Sequence, residues 1–88
     1  MVYLVLLRGE AADVAHARQQ LIASSNGWKE LGPNVLLVGQ PDARPESLRN
    51  FLRRQPNVEV AVMQLNGGWA AGGCDDVADW LRAAVRMF

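Results

Sequence analysis

The spacing of hydrophobic and polar positions along the chain predicts four strands and three helices. Val2 to Leu7 is a continuous apolar run with high β propensity, which is typical of a strand covered on both faces. Val58 to Leu65 has apolar residues in both of its alternating sets, so this strand should also be covered on both faces. The other predicted elements are, in chain order, a helix from Ala11 to Ser25, strands from Trp28 to Leu31 and Val35 to Gly39, a helix from Pro45 to about Gln55, and a helix from about Asp75 to Met87.

Turn and cap residues separate these elements. Asn26-Gly27 is expected to end the first helix as a C-cap, because glycine and asparagine accept the left-handed conformation. Gly32-Pro33-Asn34 is a turn signature and predicts a hairpin between the second and third strands. Pro45 suits a first helical turn, where its missing N–H costs nothing, and Pro56 should lie just beyond the end of the second helix.

The predicted order is β-α-β-β-α-β followed by a helix. We therefore expect an α+β fold of the ferredoxin-like βαββαβ kind, with a four-stranded antiparallel sheet, an additional C-terminal helix, and a single domain over residues 1–88. The first two helices should cover one face of the sheet. The strands are apolar on both sides, so the second face also needs a cover, which could be helix 3, a second copy of the chain or a different protein.

Composition and charge narrow the class of partner. The chain has 88 residues, half of them apolar, which is enough for one thin core. Nine basic residues balance nine acidic ones, so no net field favours nucleic acid or an acidic membrane. The single cysteine, Cys74, excludes an intramolecular disulfide and leaves no cysteine cluster for zinc.

The N-terminal apolar run is interpreted as a strand and not as a signal peptide. It lacks a basic n-region and meets Arg8 and Glu10 after Leu7, which makes it too short to span a bilayer. No other segment approaches about 18 consecutive apolar residues. We therefore predict a cytoplasmic protein with no membrane partner.

Three segments together resemble a known family, the small SinR-like proteins. They are Tyr3-Leu4-Val5, the run Asn26-Gly27-Trp28-Lys29-Glu30-Leu31 before Val35-Leu36-Leu37-Val38, and the run Val62-Met63-Gln64-Leu65-Asn66-Gly67-Gly68-Trp69-Ala70 leading to Asp79-Trp80-Leu81. The SinR-like proteins are ferredoxin-like relatives of the CRISPR-associated small nuclease and integration-subunit superfamily, which includes the VapD-type toxins. The resemblance spans most of the chain and rests on hydrophobic and Gly-Trp signatures.

This resemblance implies a ferredoxin-like fold, frequent homodimerisation and, in some members, metal-dependent cleavage of nucleic acid. The family activity depends on an aspartate at the end of the first strand, where this chain has Leu6-Leu7-Arg8-Gly9. An arginine cannot ligate Mg²⁺, which takes oxygen ligands. Glu10 is the one weak substitute, although a carboxylate at that position also suits the start of a helix.

Other residues that could carry chemistry have simpler explanations. The glycine-rich stretch from Leu65 to Asp76 could hold a phosphate, but it lacks the Lys-Ser/Thr pair, and Asp75 with Asp76 would repel an anion. Cys74 has no resolving cysteine, and two aspartates beside it oppose a lowered thiol pKa. His16, the only histidine, lies off the apolar stripe of its helix and is expected to be exposed.

Two further groups are candidates for binding. Arg49, Arg53 and Arg54 could contact nucleic-acid phosphates, but no aromatic platform lies among them and a solvated helix face is the simpler interpretation. Trp28, Trp69 and Trp80 are expected mainly to seal the edges of the core, with Trp69 the best interface anchor. The predicted interface residues are Trp69, Val77, Trp80 and Leu81.

The sequence thus predicts a small non-catalytic protein-interaction module with no cofactor and no metal site. We expect a homodimer, or a complex with another protein, that uses the second apolar sheet face or helix 3. The alternative is a metal-dependent nuclease or a nucleic-acid-binding protein of the same superfamily, which would use Glu10 or the helix 2 arginines. A third possibility is a sensor that binds a small ligand in a cleft between subunits.

Overall fold

The computed structural model describes residues 1–40, 44–65, 70 and 72–87, with residues 85–87 described by their backbone alone. Four strands and three helices lie within these ranges, in the predicted order. They are β1 (Val2–Gly9), α1 (Ala11–Ser24), β2 (Gly27–Gly32), β3 (Val35–Gly39), α2 (Pro45–Leu52), β4 (Val58–Leu65) and α3 (Asp75–Met87).

The four strands form one antiparallel sheet in the order β2-β3-β1-β4. β1 lies in the middle and pairs with β3 on one side and, from Val2 opposite Leu65 to Gly9 opposite Val58, with β4 on the other. The β1-α1-β2 crossover passes over β3, and the β3-α2-β4 crossover passes over β1. This is the ferredoxin-like arrangement, here with an added C-terminal helix. The predicted fold class is confirmed.

α1 and α2 cover the first face of the sheet, as the apolar stripes predict. Val14, Ala17 and Leu21 of α1 and Leu48 and Leu52 of α2 are all buried there. They pack against the sheet residues Tyr3, Val5, Leu7, Leu36, Val38 and Val58, which completes the larger core.

Two helix ends differ from the prediction. α2 ends at Leu52 and not near Gln55, because residues 53 to 57 turn directly toward β4. α1 ends at Ser24, and its C-cap Ser25 has an extended backbone with a φ of −90°. No left-handed cap forms at Asn26-Gly27, since Gly27 is already the first residue of β2 and the Asn26 N–H donates to Gly39 O at 2.9 Å.

The predicted hairpin turn is present between β2 and β3. Asn34 has a φ of 63°, the left-handed conformation that asparagine tolerates better than most residues. The Leu7 N–H donates to Asn34 O at 2.9 Å, so the turn is also fixed to the central strand.

Gly9 lies in a close approach between two backbone segments. Its φ is 144°, and a Cβ placed there would lie 1.9 Å from Asn57 O. The same Asn57 O accepts a hydrogen bond from the Glu10 N–H at 3.2 Å. The end of β1 therefore requires glycine for both conformation and space.

No helix in the described part of the chain is long and apolar enough to cross a membrane.

Candidate interaction surface

α3 folds back over part of the second sheet face. Leu81 and Ala84 are buried against Val2 of β1 and Leu37 of β3. Leu4, Val77 and Trp80 are partly buried around this second, smaller cluster. α3 is thus one of the three possible covers for the second face, and it covers the β1 and β3 side.

An ion pair attaches the start of α3 to the β2 edge of the sheet. Lys29 Nζ lies 2.8 Å from Asp76 Oδ2. The bond from Lys29 lowers the pKa of the Asp76 carboxyl, with a smaller contribution from the Val77 backbone N–H. Both side chains are partly solvated, so this contact orients the helix more than it stabilises the fold.

The β4 side of the second face is left exposed and apolar. Leu6, Met63 and Leu65 have exposed fractions of 37%, 42% and 39%, and Ala61 beside them is also exposed. The ladder register places Ala61 opposite Leu6, Met63 opposite Leu4 and Leu65 opposite Val2, so their side chains share one face. We refer to Leu6, Ala61, Met63 and Leu65 as the apolar strip.

A pair of opposite charges lies at one end of the apolar strip. Arg8 Nη2 donates to Glu59 Oε2 at 2.7 Å, between directly opposed positions of β1 and β4. This hydrogen bond raises the pKa of Arg8 and lowers that of Glu59, so both stay charged over the neutral range. The strip therefore ends in one cation and one anion with no net charge.

A cavity of about 400 Å³ opens beside this ion pair. It forms where β1 extends past the start of β3, so that the last residues of β1 pair with β4 only. Its lining consists of Leu6, Leu7, Arg8, Asn34, Val35, Glu59, Val60 and Ala61. Arg8 and Glu59, the two charged residues in this lining, already bind each other.

Glu10, the candidate for a metal-binding carboxylate, precedes α1 as its N-cap residue and forms no side-chain cap bond. Among the described residues, no three His, Cys, Asp or Glu side chains lie close enough together to hold a metal ion. Arg8, which stands where the resembled family has its aspartate, is paired with Glu59. Within the part that the structure describes, Glu10 therefore belongs to no cluster of three such side chains.

Each of the three candidate arginines, Arg49 of α2 and Arg53 and Arg54 directly after it, makes an intramolecular contact. Arg53 Nη1 donates to Val58 O at 2.7 Å, and the Arg49 Nε donates to Asn50 Oδ1 at 3.3 Å. The Arg54 guanidinium lies 5.7 Å from the centre of the Phe51 ring. All three side chains are exposed, as predicted.

The remaining candidates are dispersed. His16 is exposed, and its Nε2 lies 2.9 Å from Nε2 of Gln20 on the same helix. Trp28 is 42% exposed on the β2 edge, with the Arg18 guanidinium 5.8 Å from its ring centre. Cys74 is a partly exposed free thiol just before α3. Trp69 and most of the 66–71 stretch of the proposed phosphate loop lie outside the described residues.

The predicted interface residues on α3 are in contact with the chain's own sheet. Leu81 is buried there, and Val77 and Trp80 are partly buried. On the second sheet face, the exposed large apolar side chains are instead those of the strip, which the sequence reasoning did not single out. The apolar residues on both sides of β4 indicated that its second face needs a cover. The sequence pattern could not show which half of that face α3 covers.

Comparison of the chain with protein-family models, with curated proteins and with solved structures gives no significant match. The resemblance to SinR-like proteins therefore stays a prediction.

Proposed function

We propose that this chain is a non-catalytic protein-interaction module that acts as a homodimer, built on the β4 side of the second sheet face. The observation that carries this proposal is the apolar strip, where three large side chains remain 37% to 42% exposed after α3 has packed. Contiguous exposed apolar side chains of this kind are characteristic of surfaces that bind protein.

The shape and charge of the strip favour a second copy of the chain as its partner. It lies on a sheet surface, which suits contact with another protein surface better than enclosure of a small ligand. It ends in Arg8 and Glu59, so a two-fold-related copy offers a neutral apolar centre and both signs of charge at its ends. A cytoplasmic location is part of the proposal and is compatible with the free thiol of Cys74.

A charge in the centre of the strip tests this proposal. We expect Met63→Glu to raise the dimer dissociation constant by about a hundredfold or more, because a carboxylate would have to be desolvated against apolar side chains. Met63 is 42% exposed in the single chain, so the fold should tolerate the change. The readout is sedimentation velocity over a range of concentrations, with circular dichroism to confirm folding.

Leu31→Glu is the matched control. Leu31 is 41% exposed, also on a strand, but it belongs to β2 at the opposite edge of the sheet. The control variant should dimerise like the wild type. Equal weakening by both variants, or no weakening by Met63→Glu, would show that the strip is not the interface.

A further inference from the structure

The two edges of the sheet differ in how well they are protected against pairing with another strand. β2 has a register shift between Glu30 and Gly32 and two adjacent charged residues, Lys29 and Glu30. β4 runs for eight residues without proline or a register shift, and its only charged residue is Glu59. A long, regular and apolar edge of this kind is prone to accept a further strand.

The hydrogen-bond pattern identifies which β4 groups point outward. The Leu7 N–H bonds toward β3 and the Glu10 N–H bonds to Asn57 O, so the even-numbered residues of β1 bond toward β4. By the antiparallel register, the odd-numbered residues of β4 bond to β1, and the backbone groups of Val58, Val60, Val62 and Gln64 face away.

One end of this outer edge is already occupied. Val58 O accepts the 2.7 Å hydrogen bond from Arg53 Nη1, which lies across the beginning of β4. In the described part of the chain no strand pairs with the outward groups of Val60, Val62 and Gln64. These three residues form the open section of the edge.

We propose that the open section of β4 pairs antiparallel with β4 of a second copy, centred on Val62, so that the dimer has one continuous eight-stranded sheet. This inference rests on the proposed homodimer and specifies how its two copies meet. With Val62 opposite Val62 and Val60 opposite Gln64, the outward N–H and C=O groups of all three residues are paired. Within the described strand Val58–Leu65, no other two-fold register pairs all three without reaching the occupied Val58 O.

The side chains fit this register on both faces. On the first face, the two Val62 side chains contact each other across the two-fold axis, and such pairs of β-branched side chains favour strand pairing. On the second face, Ala61 lies opposite Met63 of the other copy, a small residue against a large one. The two apolar strips then lie side by side on one face of the joined sheet, and Ala61 and Met63 of opposite copies cover each other at the axis. This lateral packing is the contact that the proposed homodimer assigns to the strip.

Charges on α2 are complementary in the same arrangement. α2 packs over β4, with Arg53 at the beginning of the strand and Glu46, in the first turn of the helix, toward the strand's other end. Glu46, Arg49 and Arg53 follow helical i, i+3, i+7 spacing and share a side of α2. Antiparallel pairing of two copies brings Arg53 of each toward Glu46 of the other. Arg49 meets its own copy near the axis, but this exposed side chain has room to diverge.

Cysteine cross-linking in a Cys74→Ser background tests the register. Residues 61 and 63 of opposite copies would form a non-hydrogen-bonded pair with Cα atoms about 4.5 Å apart, a separation that a disulfide can bridge. We mix an Ala61→Cys chain with a Met63→Cys chain and oxidise at low micromolar concentration. The mixture should give a covalent dimer of the two different chains, while neither variant should cross-link alone, because like residues lie about 8 Å apart.

Removal of one outward N–H is the second test. Val62→Pro deletes a donor that faces away from β1, so the β1–β4 ladder stays intact while the dimer dissociation constant should rise about tenfold or more. Unchanged dimerisation of Val62→Pro would overturn the edge pairing. Cross-linking of Ala61→Cys with itself would overturn the Val62-centred register.

The two proposals fail in different ways. A wild-type chain that stays monomeric would remove both. A wild-type dimer that Met63→Glu disrupts, but whose mixed cysteine variants do not cross-link, would leave the homodimer in place and overturn only the pairing of the β4 edges.

Discussion

A Gly9→Ala variant is expected to be destabilised by at least about 3 kcal/mol. The φ of 144° is a conformation that alanine rarely adopts, and the new Cβ would lie 1.9 Å from Asn57 O. To relieve this overlap, the end of β1 would have to move away from the residues that precede β4. That movement would also weaken the hydrogen bond from the Glu10 N–H to Asn57 O. Urea denaturation followed by circular dichroism measures the free energy of unfolding.

Gly72→Ala provides the control for this prediction. A Cβ at Gly72 would meet nothing within 4 Å, and its backbone has no positive φ in the left-handed range. Its free energy of unfolding should stay within about 0.5 kcal/mol of the wild type. Similar values for the two variants would show that the β1 end does not constrain the backbone as described.

Leucine-to-alanine substitutions in the two cores should differ in cost. Leu52 is 1% exposed in the larger core between α1, α2 and the sheet, and Leu52→Ala should cost about 3 to 5 kcal/mol. Leu81 is 6% exposed in the smaller cluster under α3, and we expect about 2 to 3 kcal/mol for Leu81→Ala. The smaller cluster has fewer buried members, so its surroundings can collapse more readily into the space left behind.

Amide resonances distinguish the two substitutions further. Leu81→Ala should shift signals mainly in α3 and on the second sheet face, while Leu52→Ala should shift those of α1, α2 and β4. A larger loss of stability from Leu81→Ala than from Leu52→Ala would contradict the view that the first face supplies the main core.

Much of this fold was predictable because local pattern and tertiary burial agree. One face of Val58–Leu65 packs into the α1 and α2 core, as predicted, whereas the other face, predicted to be covered as well, stays exposed in the single chain. The Gly32-Pro33-Asn34 turn and the α1 stripe are confirmed in the same way. The end of α2 was predicted wrongly, because Arg53 to Gln55 are good helix formers. In the structure the chain turns there, and the Arg53 side chain donates a hydrogen bond to Val58 O, a contact that the local pattern does not reveal.

The surface that we propose for interaction was harder to locate from the sequence. Leu81 and Met63 are both apolar residues in amphipathic elements, yet Leu81 is buried against Val2 and Leu37 while Met63 is exposed. This difference depends on where α3 crosses the sheet, which the helical period does not encode. The pairing of Arg8 with Glu59 is also a matter of strand register across 51 positions. Neither the packing of Leu81 nor the Arg8–Glu59 pair can be recognised from the residues next to it in the sequence.

The molecular mass of the wild-type chain in solution tests the central claim most directly. Sedimentation velocity over a dilution series should give a species of twice the chain mass of 9.7 kDa at micromolar concentration, dissociating only on further dilution. A single species of 9.7 kDa throughout the series would contradict the homodimer. It would leave the apolar strip without the partner that this account assigns to it.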